Sequence, residues 1–162
     1  MNTTFSPQRS HMQRALDDAK AHLLENHGGP FGACIVRDDK IIAVAHNTVL
    51  KQHDPTCHAE VNAIRLAARA LGQHDLSGCT IYSTTEPCPM CFGAIHWARI
   101  SALVYGSSIG DVHALGFNEL GISNDYLKNA GASPVTLIGG FMRQECLNLL
   151  HEWQRSSHCV TY

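Results

Sequence analysis

The chain has 162 residues, 44% of them hydrophobic and 16% charged, and a formal net charge of −2. That balance belongs to a folded globular protein, not a disordered one, and it lacks the basic excess of a large nucleic-acid footprint. The length suits a single domain over residues 1–162 that buries about 70% of its unfolded surface, and no apolar run reaches membrane-spanning length.

The first predicted element is a helix. Ser6 offers a cap, Pro7 suits the first helical position, and apolar residues recur at Met12, Ala15, Leu16, Ala19 and Leu23. Asn26-His27-Gly28-Gly29 is a left-handed stop before Pro30. Phe31 to Val36 and Ile41 to Val49 read as two strands of a hairpin turning at Asp38-Asp39-Lys40. After a polar loop, Asp54-Pro55 disfavours helix at Asp54, so a helix is predicted from about His58 to Leu71, stopped by Gly72. A strand over Cys79 to Thr85 follows, then a helix over Pro89 to Arg99 and a strand over Ser101 to Tyr105. Gly106 to Gly131 is punctuated by glycine, with one or two short helices around Val112 to Leu127. Val135 to Ile138 is the last strand, and Phe141 to Arg155 a helix with Leu147, Leu150 and Trp153 inward. Strands alternating with helices predict an α/β fold: a three-layer α/β/α sandwich on a five-stranded mixed, mostly parallel sheet with one antiparallel hairpin edge.

Two short segments carry the chemistry. Pro55-Thr56-Cys57-His58-Ala59-Glu60 and Glu86-Pro87-Cys88-Pro89-Met90-Cys91 each stand at a predicted helix start. One imidazole and two thiolates (His58, Cys88, Cys91) suit Zn2+, one ion per subunit, with the fourth tetrahedral position left to water or hydroxide. Glu60 is then free to move protons to and from that water. Cys88 and Cys91 share a face of the first helical turn, where free N–H groups favour thiolates. Residues two apart on a regular helix diverge, so His58 and Glu60 converge only if His58 stands at the helix lip. Seven cysteines, an odd number, and the absence of a basic-then-apolar leader over Met1 to Ser10 favour reduced thiols and a cytoplasmic location. A redox-active C-x-x-C pair and a closed structural zinc site with Cys57 as fourth ligand are the alternatives.

His58-Ala59-Glu60 with Pro87-Cys88-Pro89-Met90-Cys91 matches the H-x-E…P-C-x-x-C signature of zinc nucleobase deaminases. Within the cytidine deaminase-like superfamily the chain resembles the guanine deaminases, through Gly28-Gly29-Pro30-Phe31-Gly32-Ala33, Asn47, Asp54-Pro55-Thr56, Glu86 to Cys91, Trp97-Ala98-Arg99 and Gly116-Phe117-Asn118-Glu119. The resemblance implies a cytidine deaminase-like fold and hydrolysis of guanine to xanthine and ammonia, with Glu60 and Glu119 as catalytic carboxylates and Asn47 on the purine edge. It also implies a homodimer in which the C-terminal Tyr162, on a tail over about residues 156–162, is exchanged onto a partner's site. Phe31 and Trp97 are candidate apolar walls for the base, and the Ala59 N–H a candidate donor to it. Deamination of ammeline, another aminotriazine, cytosine or a nucleoside remains open. A tRNA adenosine deaminase is less favoured, because Lys and Arg are dispersed.

Overall fold

The computed structural model describes residues 5–157 and 159–162. In chain order the elements are α1 (Arg9–Ala21), β1 (Gly32–Arg37), β2 (Lys40–His46), α2 (Val49–Gln52), α3 (Ala59–Leu71), β3 (Thr80–Thr85) and α4 (Pro89–Trp97). They continue with β4 (Ala102–Ser107), α5 (Ile109–His113), α6 (Asn124–Ala130), β5 (Thr136–Ile138) and α7 (Arg143–Gln154). The sheet runs β2-β1-β3-β4-β5. β1 is antiparallel to both β2 and β3, whereas β3, β4 and β5 are mutually parallel, so only β1 opposes the common direction.

Period-two alternation divides the strands between two apolar layers. Cys34, Val36, Tyr82 and Val104 face α1 and α7 with Met12, Leu16, Leu150 and Trp153. Ala33, Ile35, Ile81 and Leu103 face α3 and α4 with Ala59, Ala63, Ala67, Phe92 and Ile95. Alanine at the inner positions of α3 lets that helix lie close to the sheet. Glu60 and the start of α4 are thereby drawn toward the carboxyl ends of the strands, where open α/β sheets place their ligands.

Several boundaries differ from the sequence expectation. Ser6 does not cap α1: the cap position is Gln8, in extended conformation, and its N–H donates to the Tyr82 hydroxyl at 3.0 Å. The helix ends at Ala21, and a turn ending on left-handed Asn26 (φ 53°) leads to the glycines. β2 stops at His46 instead of Val49, because the Asn47 side chain accepts the Val49 N–H at 3.1 Å and starts the short helix α2. The glycine-punctuated stretch holds two helices: Ser108 and Asp111 form a reciprocal capping box on α5, and Ser123 caps α6. Leu147 is only half-buried on α7, whose fully buried residues are Cys146, Leu149, Leu150 and Trp153.

Candidate active site

His58 is the N-cap of α3, with extended backbone at φ −65° and ψ 155°. It therefore stands off the helical screw, and Glu60 in the first turn points to the same place. Cys88 occupies the equivalent position on α4 (φ −64°, ψ 166°), with Pro89 opening the helix and Cys91 one turn in. Two helix N-termini thus deliver the three donors. His58 Nδ1 lies 3.7 Å from Cys88 Sγ and 3.6 Å from Cys91 Sγ. Tetrahedral coordination with bonds of about 2.0 Å to nitrogen and about 2.3 Å to sulfur requires a separation of about 3.6 Å, so the donor set fits zinc. Cys57 is outside this group: buried, it accepts from the Arg65 guanidinium at 3.5 Å.

The electrostatics suit metal and proton transfer together. The Cys88 thiol is drawn down to about 4, first by its hydrogen bond with Cys91 and then, against burial, by His58; the same bond pushes Cys91 up. Glu60, 6% exposed, accepts from Ser83 Oγ at 3.0 Å and from Cys91 Sγ at 3.5 Å. Burial raises its carboxyl above the ordinary range despite the opposing pull of His58.

Beside the donors is a cavity of about 250 Å³ lined by residues that include Phe31, Pro55, His58, Cys88, Glu119 and Tyr162. Glu119 is pushed up to about 7, by burial first and then by the negative charge of Cys88. Asn47, 1% exposed, stands behind the wall: its Oδ1 accepts from Val49 N–H and from the Tyr162 hydroxyl at 2.7 Å. These two donors identify the oxygen of the amide, and its nitrogen has no partner. Phe31 meets Phe117 edge-on at 5.2 Å. The Ala59 N–H, first of α3, has no intrahelical acceptor available to it. Tyr162 lies on its own chain's pocket, its hydroxyl accepting from Gly29 N–H at 3.0 Å; within the tail expected over 156–162, His158 lies outside the described residues.

Trp97 is not brought to this pocket. It is the last residue of α4, 83% exposed, and lines a separate cavity of about 740 Å³ with His74, His96 and Arg99. Six residues beyond Cys91 amount to about 9 Å along the helix and a different face, which carries the indole away from the helix start. Three contributors were given no role from sequence, although Glu86 and Phe117 lie within the resembling blocks. Ser83 holds Glu60, Phe117 supplies a wall, and Glu86 accepts the backbone N–H groups of Ile109 and Asn124 at 3.2 and 2.8 Å. Period-two spacing from Ile81 would have placed Ser83 on the α3 side; Glu86 gave no such signal.

The chain is similar to known proteins. A guanine deaminase of Bacillus subtilis (strain 168) is 51% identical over 92 residues, 57% of this chain and 59% of that protein, so the match spans under two thirds of that relative. A tRNA-specific adenosine deaminase of Buchnera aphidicola subsp. Schizaphis graminum is 37% identical over 78% of this chain and 80% of its own. A solved guanine deaminase from Nitrosomonas europaea superposes with a TM-score of 0.84 at 30% identity, covering 94% of this chain and 87% of that one. The zinc-binding region of cytidine and deoxycytidylate deaminases matches residues 6–107, a span that includes His58, Glu60, Cys88 and Cys91, and the chain belongs to that family.

Proposed function

We propose that this chain is a zinc-dependent aminohydrolase of a free nucleobase, converting guanine and water to xanthine and ammonia. His58, Cys88 and Cys91 would hold a zinc ion, whose Lewis acidity would lower the pKa of a bound water from about 16 toward about 7. Glu60, held by Ser83, takes one proton from the water whose oxygen bonds to C2 and passes it to ring N3, then moves the remaining hydroxyl proton to the amine as the C2–N bond breaks. Phe31 and Phe117 flank the flat ring. The unpaired amide nitrogen of Asn47 and the Ala59 N–H are donors for acceptor atoms on the purine edge.

The observation that carries the choice of guanine is Glu119, a carboxylate within the pocket lining near the three donors. It supplies an acceptor, or a second proton carrier, for a ring that offers N1–H and an amino group; adenine lacks the N1–H. A pocket of about 250 Å³ with Tyr162 in its wall suits a base better than a polynucleotide. Two further parts of the reading have separate support. Trp97 and Tyr126, both exposed, offer apolar surface for a homodimer, and seven unpaired cysteines suit the reducing cytoplasm. Among the described residues no helix is long and apolar enough to cross a membrane.

The test is ammonia release from guanine, ammeline, cytosine and guanosine, alongside inosine formation in tRNA. Guanine is expected to be turned over fastest, and Glu60→Gln to lose about two to four orders of magnitude in kcat with zinc retained. Inosine formation without guanine turnover would transfer the function to the RNA-editing branch.

A further inference from the structure

Behind the pocket wall lies a cluster that the deamination chemistry does not use. His22, His27 and His46 stand as near-parallel rings between the end of α1 and the end of β2. Asp18 Oδ2 accepts from His46 Nδ1 at 2.9 Å, and His46 Nε2 meets His27 Nδ1 at 3.0 Å. His27 Nε2 faces Glu25 at 3.2 Å. The tautomers follow from the acceptors. Asp18 requires N–H at His46 Nδ1, which leaves His46 Nε2 to accept, so in the neutral pair His27 Nδ1 donates between the rings at the expense of the Glu25 contact; one further proton on the pair satisfies both. His22 is tied separately, donating from Nδ1 to the Asp18 carbonyl at 2.7 Å. The cluster is not built as a metal centre: the His22 and His46 planes lie face to face at 3.7 Å and 13°, so their lone pairs run parallel instead of converging.

The cluster joins the two segments that hold the pocket wall. His46 precedes Asn47, and His27 precedes Gly28 and Gly29. Gly28 lies so close to Asn47 that an added Cβ would stand 2.0 Å from Oδ1, and Gly29 N–H holds the Tyr162 hydroxyl that also bonds Oδ1. The His27 carbonyl accepts from Leu50 and Lys51 N–H, and the His46 carbonyl from the Asn62 amide. Among the described residues, the direct side-chain bond between the two segments is that of His27 and His46, beside the Tyr162 bridge from Gly29 to Asn47.

We infer that the hydrogen-bonded chain Asp18–His46–His27 is a positioning clasp, which aims the Asn47 amide and Tyr162 at the purine edge. The inference rests on the substrate reading above, because Asn47 is its point of action. His27 and His46 touch no reacting atom. Their effect is on how well the ring is held: a shift of one segment against the other misdirects the free amide donor while leaving Glu60 and the zinc ligands in place.

The test compares the zinc-loaded enzyme with His27→Leu, which breaks the clasp, and His27→Asn, whose amide nitrogen takes the place of Nδ1. With guanine as substrate, His27→Leu is expected to raise KM about five- to twentyfold with kcat within about twofold, and His27→Asn to restore KM to within about threefold. The clasp is also read without substrate. In nitrogen-15 spectra, the Asn47 side-chain amide and the Gly29 N–H should shift in His27→Leu and return in His27→Asn. Unmoved resonances, an unchanged KM, or a folded His27→Asn that restores neither would overturn the clasp. Should the wild type leave guanine untouched while those resonances still move and return, the clasp stands and the substrate assignment falls.

Discussion

Glu86 offers the sharpest test of how the site is held. Its carboxylate, 8% exposed, accepts from the Ile109 N–H at the start of α5 and the Asn124 N–H at the start of α6. The Asn124 amide returns a bond to the Pro87 carbonyl at 2.6 Å. One side chain therefore ties two helix starts to the residue pair leading into Cys88. Glu86→Ala leaves two buried N–H groups unpaired at about 1–3 kcal/mol each, a total of about 2–6 kcal/mol against a native margin of about 5–15 kcal/mol. Glu86→Gln keeps one acceptor oxygen and is expected to lose about 1–3 kcal/mol. Urea unfolding, followed by circular dichroism, measures both, and metal analysis after dialysis should show reduced zinc in Glu86→Ala. A loss below about 1 kcal/mol in Glu86→Ala, with full zinc occupancy, would refute the proposed tie.

Three further outcomes are expected. Gly28→Ala pushes a Cβ to 2.0 Å from Asn47 Oδ1, so KM for guanine should rise about tenfold, with about 1–3 kcal/mol lost in unfolding experiments. Tyr162→Phe removes the hydroxyl shared by Gly29 and Asn47 and should raise KM several-fold in steady-state assays while kcat changes less. Asp111, held down to about 2 by Arg143 and by its cap on α5, contributes stability that is complete above its ordinary 3.8 and lost as pH falls toward about 2. Asp111→Asn should therefore be less stable than wild type by about 1–2 kcal/mol at pH 7, and acid titrations of the two should converge over that window.

Much of this fold is legible locally. The unbroken apolar run from Ala33 to Val36 and the 3.6-residue spacing of Ala59, Ala63 and Ala67 declare a strand buried on both faces and a helix pressed against the sheet. The ends of α1 and β2 were less legible, because local side-chain bonds at Gln8 and Asn47 compete with the regular pattern. Donor chemistry was legible in the same way. His58, Glu60, Cys88 and Cys91 lie within two short motifs, and backbone stiffening by Pro55 and Pro89 placed His58 and Cys88 at helix starts.

What the chain by itself determined is therefore the class of chemistry, since the ligand type and spacing within each motif are local properties. Only the tertiary structure decided which side chains share one space. It brought Tyr162 to Asn47 across 115 positions, Ser83 to Glu60 across 23 and Glu86 to Asn124 across 38, while it left Trp97 outside. Those pairings follow from sheet order and helix docking, which depend on burial summed over the whole core and not on any one stretch of sequence.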